Sequence, residues 1–181
     1  MNNDSLRLVT KAAWFAAHAH REQRRKDRAR TPYFNHLAEV ADLLAFAGAD
    51  ANPIAAGYLH DTIEDAGATH EILRAEFNAD IAGLVLAATD NKTLDKARRK
   101  ALQVAHASAA PPRLANLKLA DKISNLRSME AAPPADWSAQ RIAEYIAWAH
   151  EVVTRLPAAS PALLDLYQDI REKLLVRTIP A

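Results

Sequence analysis

Apolar residues recur along this chain at the three-to-four-residue spacing that lines one face of an α-helix, and no stretch alternates as a half-buried strand requires. In "SLRLVTKAAWFAAHAH", Leu6, Val9, Ala13, Ala16 and Ala17 mark such a face, with Ser5 as the expected N-cap. The polar, basic stretch "REQRRKDRART" breaks the pattern, and Pro32 marks the turn out of it. Leu37, Val40, Ala41 and Leu44 of "NHLAEVADLLAFAG" share a second face, and Gly48 stops that helix. Asn52-Pro53 reads as a cap with proline at the first helical position, opening a helix that runs through "LHDTIED" and ends before Gly67. Thr69 caps "THEILRAEF", and "DIAGLVLAATDN" and "DKARRKALQVAHASA" continue the helical spacing. After a double proline, Leu114, Leu117, Ile123 and Leu126 of "PPRLANLKLADKISNLRSME" keep to one stripe. "SAQRIAEYIAWAHEVVTRL" and "PALLDLYQDIREKLLV" complete the series, the last helix covering about 160–176. Trp14, Trp137 and Trp148 read as core or helix-packing residues. The expected fold is therefore all-α, a bundle of about eight to ten helices. With neither repeat nor linker in sight, the proline pairs are corners within one domain spanning residues 1–181.

Composition supports this picture. Of 181 residues half are hydrophobic and a quarter charged, enough for one domain with a real core, and only four are glycine. A net charge of +1 gives no bulk attraction to nucleic acid or membrane, so any basic patch is local. There are no cysteines, which excludes disulfides and thiolate metal sites and fits a reducing compartment. No run reaches the ~18 apolar residues of a membrane span. "MNNDSLRLV" lacks the basic-then-apolar layout of a secretion signal, so a cytoplasmic protein is expected.

One stretch does not fit a plain helical scaffold. "YLHDTIEDAG" follows the apolar "NPIAAGYL" and packs His60, Asp61, Glu64 and Asp65 into six positions. On a helix, His60 and Glu64 lie one turn apart, as do Asp61 and Asp65. Three carboxylates at a helix C-terminus repel one another and oppose the helix dipole, so a positive partner is expected. Mixed nitrogen and oxygen donors suit manganese, iron, cobalt, zinc or magnesium. His36, at the start of an apolar helix, and Asp121, among the leucines of "LKLADKISNL", are further donors. Taken singly, His36 reads equally as a cap and Asp121 as a surface acid paired with Lys118 or Lys122. Together they form a constellation drawn from three helices.

The pattern H…HD…D, here His36, His60-Asp61 and Asp121, resembles the metal signature of HD-domain phosphohydrolases. "RRKDRARTPYFNH", "AAGYLHDTIEDAGAT", "TDNKTLDKARRKALQ", "LANLKLADKISNLRSM" and "WSAQRIAEYIAWA" are similar, in order and spacing, to segments of the RelA/SpoT hydrolase family in its free-standing form, the small alarmone hydrolases of the Mesh1 type. The resemblance covers about residues 12–156 and implies an HD-domain bundle. It further implies one Mn2+ ion held by His36, His60, Asp61 and Asp121, with Glu64 and Asp65 acting on the water that attacks phosphorus. The implied reaction removes the 3′-pyrophosphate of guanosine tetra- or pentaphosphate, a small-molecule nucleotide, to give GDP or GTP and pyrophosphate. The family's substrate contacts match Arg25, Lys26 and Asn125, and its basic positions match Lys92, Arg99 and Lys100. Tyr33, after Pro32 as in the family, packs or borders the base. Asn125 lies one turn after Asp121 and shares its direction. The basic run around Arg25 precedes His36, where guanidinium and ammonium groups can meet phosphate charge.

The loop after the Arg-Lys pair, "DRART", is more basic than the family pattern at Arg28 and Arg30, which leaves substrate preference open. The alternative on the same site is removal of the 2′-phosphate of NADPH, and a third reading is a nucleotide-binding module without chemistry. The full complement His36, His60, Asp61, Glu64, Asp65 and Asp121 speaks against the third. With no synthetase region after the hydrolase-like helices, degradation without synthesis is expected. Alanine-rich faces leave room for a homodimer without requiring one.

Overall fold

The computed structural model describes residues 2–157 and 159–178. Its described part is built of ten helices: α1 (Asn3–Ala19), α2 (Phe34–Phe46), α3 (Ala51–Leu59), α4 (Thr62–Asp65), α5 (His70–Glu76), α6 (Ala79–Ala88), α7 (Lys96–Ala107), α8 (Pro112–Ala131), α9 (Ala139–Val153) and α10 (Pro161–Thr178). The all-α expectation holds. The only extended pairing among the described residues is an isolated bridge between Arg24 and Pro32 in the basic loop.

α3 and α8 form the interior. α3 is apolar on every side, with Pro53, Ile54, Ala55, Ala56, Gly57 and Leu59 all buried, and it packs against α1, α2 and α6. α8 lies against α2, α6, α9 and α10 and buries Leu117, Leu119, Ile123 and Leu126 completely or nearly so. Each such side chain contributes about 1.5–3 kcal/mol on leaving water. Gly57 sets the α2–α3 distance: a Cβ there would sit 2.9 Å from Leu44 Cδ1 and 3.0 Å from Ala41 Cα. No described helix is long and apolar enough to cross a membrane.

Several helix ends differ from expectation. Asn2, not Ser5, caps α1 and accepts the Ser5 amide. Asp50, not Asn52, caps α3, so Pro53 falls third in the helix, still among the amides that need no intrahelical acceptor. Thr69 caps α5 as expected. Gly48 and Gly67 adopt φ of +77° and +73°, the left-handed conformation that ends a helix cheaply only with glycine. Trp14 is not a core residue but 69 % exposed, stacked on His18. The cause is register: α1 buries Ala12 and Ala16, and position 14 lies about 200° round the helix from Ala12.

Candidate active site

The expected single helix through "LHDTIED" is interrupted. α3 stops at Leu59, His60 and Asp61 form a turn, and α4 carries Glu64 and Asp65. Two side chains satisfy carbonyls at the break: His60 Nδ1 donates to Gly57 O at 2.8 Å, and Thr62 Oγ1 to Leu59 O at 2.6 Å. The turn aims consecutive residues at one point, which a regular helix cannot do. His60 Nε2 and Asp61 Oδ2 come within 3.1 Å.

α2 and α8 bring the other donors there. His36 Nε2 lies 3.3 Å from Asp121 Oδ1 and 3.8 Å from Asp61 Oδ2, and His60 Nε2 lies 3.8 Å from Asp121 Oδ1. His36, His60 and Asp121 offer ligand atoms all within 4.8 Å of one another. Asp61 stands beside them on the His60 side. The protonation pattern fits a cation. A carbonyl can only accept, so His60 Nδ1 carries a hydrogen and Nε2 is the nitrogen turned toward the cluster. His60 Nε2 is buried without a hydrogen-bond partner, because the near Asp61 oxygen lies off the line of a hydrogen bond.

His36 is fixed similarly through side chains that sequence reasoning missed. Ser124 Oγ donates to Glu39 Oε2 at 2.6 Å and therefore accepts from His36 Nδ1 at 2.8 Å. Arg127 Nη1 holds the other Glu39 oxygen at 3.1 Å. Glu39 is one turn after His36, and Ser124 one turn after Asp121, the only signal in the sequence. Such partners set the tautomer and direction of a metal-binding imidazole.

The charges of the cluster act strongly on one another. Burial lowers both imidazoles, but beside the Asp61 and Asp121 carboxylates His60 ends well above its ordinary range, while His36 stays lowered. Burial pushes Asp61 up, and the two imidazoles reverse this and hold it low. Asp121 is likewise held well below the usual range, by Lys122 and both histidines against its burial. Lys122 Nζ pairs with Asp121 Oδ2 at 2.8 Å, and Asn125 Nδ2 donates to Asp121 Oδ1 at 2.7 Å. Tyr33 Oη donates to Asp61 Oδ2 at 2.6 Å, so this tyrosine orients a candidate ligand.

The centre opens on a cavity of about 370 Å³ lined by both acids and bases. Glu64 accepts from the Asp90 amide and from Arg99 Nη1 at 3.4 Å, and burial raises its carboxyl. Asp65 is held by Gln23 Nε2 at 3.0 Å and by Lys92 Nζ. Lys92 and Arg99 thus stand against the Glu64–Asp65 pair. Arg25 Nη2 donates to Asn125 Oδ1 at 2.9 Å, which ties the basic loop to α8, while Lys26 lines the cavity from an exposed position. Arg28 and Arg30 are exposed and do not line it. Trp137 packs against the edge of the core as expected, and both Trp137 and Trp148 also wall the cavity, with Arg141 4.4 Å above the Trp137 ring and Lys100 4.6 Å above Trp148.

The HD-domain model matches residues 12–147. The chain belongs to the HD-domain family. It is 42 % identical over 165 residues to the guanosine-3′,5′-bis(diphosphate) 3′-pyrophosphohydrolase MESH1 of Xenopus tropicalis, covering 90 % of this chain and 92 % of the relative. The human protein of the same name is 41 % identical, with the same coverage. Among solved structures, a metazoan orthologue of SpoT, described as hydrolysing ppGpp and playing a role in starvation responses, superposes with a TM-score of 0.88. It is 36 % identical, with 92 % of this chain and 94 % of that one covered. In this HD-domain chain the group His36, His60 and Asp121 marks a divalent-metal site.

Proposed function

We propose that this HD-domain chain acts as a single hydrolase domain over its whole length, α9 and α10 included, and removes the 3′-pyrophosphate of guanosine tetra- or pentaphosphate. One observation carries the reading. His36, His60, Asp61 and Asp121 converge, and all but His36 line a cavity shared with seven cationic side chains and with Glu64 and Asp65. The named activity of the 42 % identical relative supports it.

In this reading the four side chains hold one ion. Lewis acidity and the lowered pKa of a coordinated water are the chemistry that a divalent metal, here manganese, supplies at such a site. Glu64, with its carboxyl raised by burial, takes a proton from the attacking water more readily than an ordinary carboxylate. Asp65, clamped by Gln23 and Lys92, orients that water. The water oxygen bonds to phosphorus as the bond to the ribose 3′ oxygen breaks. That oxygen keeps the electron pair and takes up a proton, leaving GDP or GTP and free pyrophosphate. Arg25, Lys26 and Asn125 contact the nucleotide, and Lys92 and Arg99, held against Asp65 and Glu64, offer their remaining N–H groups to its phosphates. The setting is the cytoplasm, where such nucleotides and divalent ions are available.

Purified protein incubated with guanosine tetraphosphate and Mn2+ is expected to release pyrophosphate, with His60→Ala inactive. Turnover no higher than that control refutes the proposal. A larger specificity constant for the 2′-phosphate of NADPH would assign the site to the other ester.

A further inference from the structure

Seven cationic side chains line the cavity, and their partners can be accounted for one by one. Lys122 pairs with Asp121 and Arg99 with Glu64. Lys96 and Arg141 lie over the Trp137 ring, and Lys100 over Trp148. Lys26 is exposed to solvent. Lys118 has none of these: among the described residues no carboxylate lies within 4.0 Å of its Nζ, and it makes no hydrogen bond or ring contact.

The acids around it are already engaged. Glu64 takes Arg99 and the Asp90 amide, Asp90 takes Gln103 Nε2 at 2.8 Å, and Asp121 takes Lys122 and Asn125. Lys118 is only half-buried by accessible surface, since the cavity admits water to it, yet protein surrounds it on most sides. Desolvation, with repulsion from Lys122, pulls its ammonium below the usual lysine range, against the more distant attraction of Asp90, Asp121 and Glu64. Removing water from a cation without a carboxylate in contact is unfavourable, and the distant acids do not offset it, so Lys118 is poorly explained as a stabiliser of the fold. Its place explains it instead. Lys118 is one turn before Asp121 on α8 and faces the same cavity, near Glu64.

We propose that Lys118 contacts substrate: its ammonium meets the anionic oxygens of the pyrophosphoryl group seated between the metal centre and Glu64. This rests on the hydrolase reading above; in the sequence Lys118 stands out only as a possible ion-pair partner of Asp121. The substrate supplies the missing counter-charge, and the interaction grows stronger because the cavity wall has already stripped water from the cation.

The test compares wild type, Lys118→Met and Lys118→Arg in three measurements: guanosine tetraphosphate turnover with Mn2+, calorimetric affinity for inorganic pyrophosphate with Mn2+ present, and thermal unfolding. K118M is expected to melt at or above the wild-type temperature and to bind Mn2+ within twofold of wild type. Its kcat/KM and pyrophosphate affinity are expected to fall about 10- to 100-fold, with K118R recovering much of the loss. A K118M enzyme whose kcat/KM and pyrophosphate affinity stay within twofold overturns the inference while leaving the hydrolase reading intact. A lower melting temperature with lost Mn2+ binding also overturns it, by making Lys118 structural. If wild type turns over no tetraphosphate, the hydrolase reading falls, and the pyrophosphate titration alone then decides Lys118.

Discussion

Glu39→Gln changes one oxygen for an NH2 group, and the hydrogen-bond chain behind His36 determines what that does. In the native protein Glu39 is acceptor-only: Oε1 takes Arg127 at 3.1 Å and Oε2 takes Ser124 at 2.6 Å. The serine hydrogen is therefore directed at Glu39, and its lone pair receives His36 Nδ1–H. A glutamine keeps its carbonyl toward Arg127, because a guanidinium cannot accept, and turns its NH2 toward Ser124. Ser124, now receiving, directs its own hydrogen at His36 Nδ1. The imidazole then places its proton on Nε2, the nitrogen that faces Asp121 at 3.3 Å and would bind the ion. Restoring the binding tautomer costs roughly one buried hydrogen bond, about 1–1.5 kcal/mol, and loss of such a partner typically weakens metal binding 10- to 100-fold. E39Q is thus expected to bind Mn2+ at least tenfold more weakly in calorimetry. In metal-free protein, the imidazole nitrogen shifts of His36 should report protonated Nε2 by 15N NMR. Ser124→Ala, which removes the link without reversing it, is expected to lose less affinity than E39Q. Wild-type Mn2+ affinity in E39Q together with an unchanged His36 tautomer would refute this chain of reasoning.

Other consequences follow from single contacts. Gly57→Ala puts a methyl 2.9 Å from Leu44 Cδ1 and 3.0 Å from Ala41 Cα, so α3 must move off α2. A loss of about 1–3 kcal/mol in urea unfolding is expected, with weaker metal binding because the Gly57 carbonyl anchors His60. Glu64→Gln and Asp65→Asn should retain the metal yet lower kcat by about 10² or more, measured as pyrophosphate release under saturating Mn2+. Asp80, held on α6 by a two-pronged contact with Arg113 of α8 at 2.8 and 2.9 Å and by Asn52, has its carboxyl lowered by those bonds. A lowered folded pKa means this stabilisation is complete above the ordinary carboxylate value of 3.8 and disappears as pH falls through the folded value. Asp80→Asn should therefore destabilise by less than about 1 kcal/mol at pH 7, for so exposed a pair, and its unfolding curve should merge with wild type in strong acid.

The cluster around His36, His60 and Asp121 was legible because histidine and aspartate are rare in an apolar setting. His60 and Asp61 close a helix that is hydrophobic on every side, and Asp121 stands among leucines. Their shared purpose shows in the violation of the helical pattern itself. The helix break at His60 was not legible, since "LHDTIED" satisfies helical spacing throughout and the turn is stabilised by a histidine and a threonine bonding to carbonyls. Caps were misplaced for a related reason: Asn2, Ser5, Asp50 and Asn52 are all capable caps, and only the three-dimensional path selects between neighbours.

The cavity wall was hidden more deeply. Trp137 and Trp148 have the composition of core residues, but their rings also carry charge that sequence does not reveal: Arg141 of α9 over Trp137, and Lys100 of α7 and Lys122 of α8 over Trp148. Lys118 and Lys122 pose the same problem in sharper form. They are about one turn apart on the same helix, and spacing favours Lys118, three residues before Asp121, over Lys122, its immediate neighbour. The fold gives the carboxylate to Lys122, at 2.8 Å, and leaves Lys118 facing the cavity without a counter-ion. Periodicity locates a charge on a helix face, whereas function depends on which charges remain unpaired, and that is decided by packing between helices far apart in sequence.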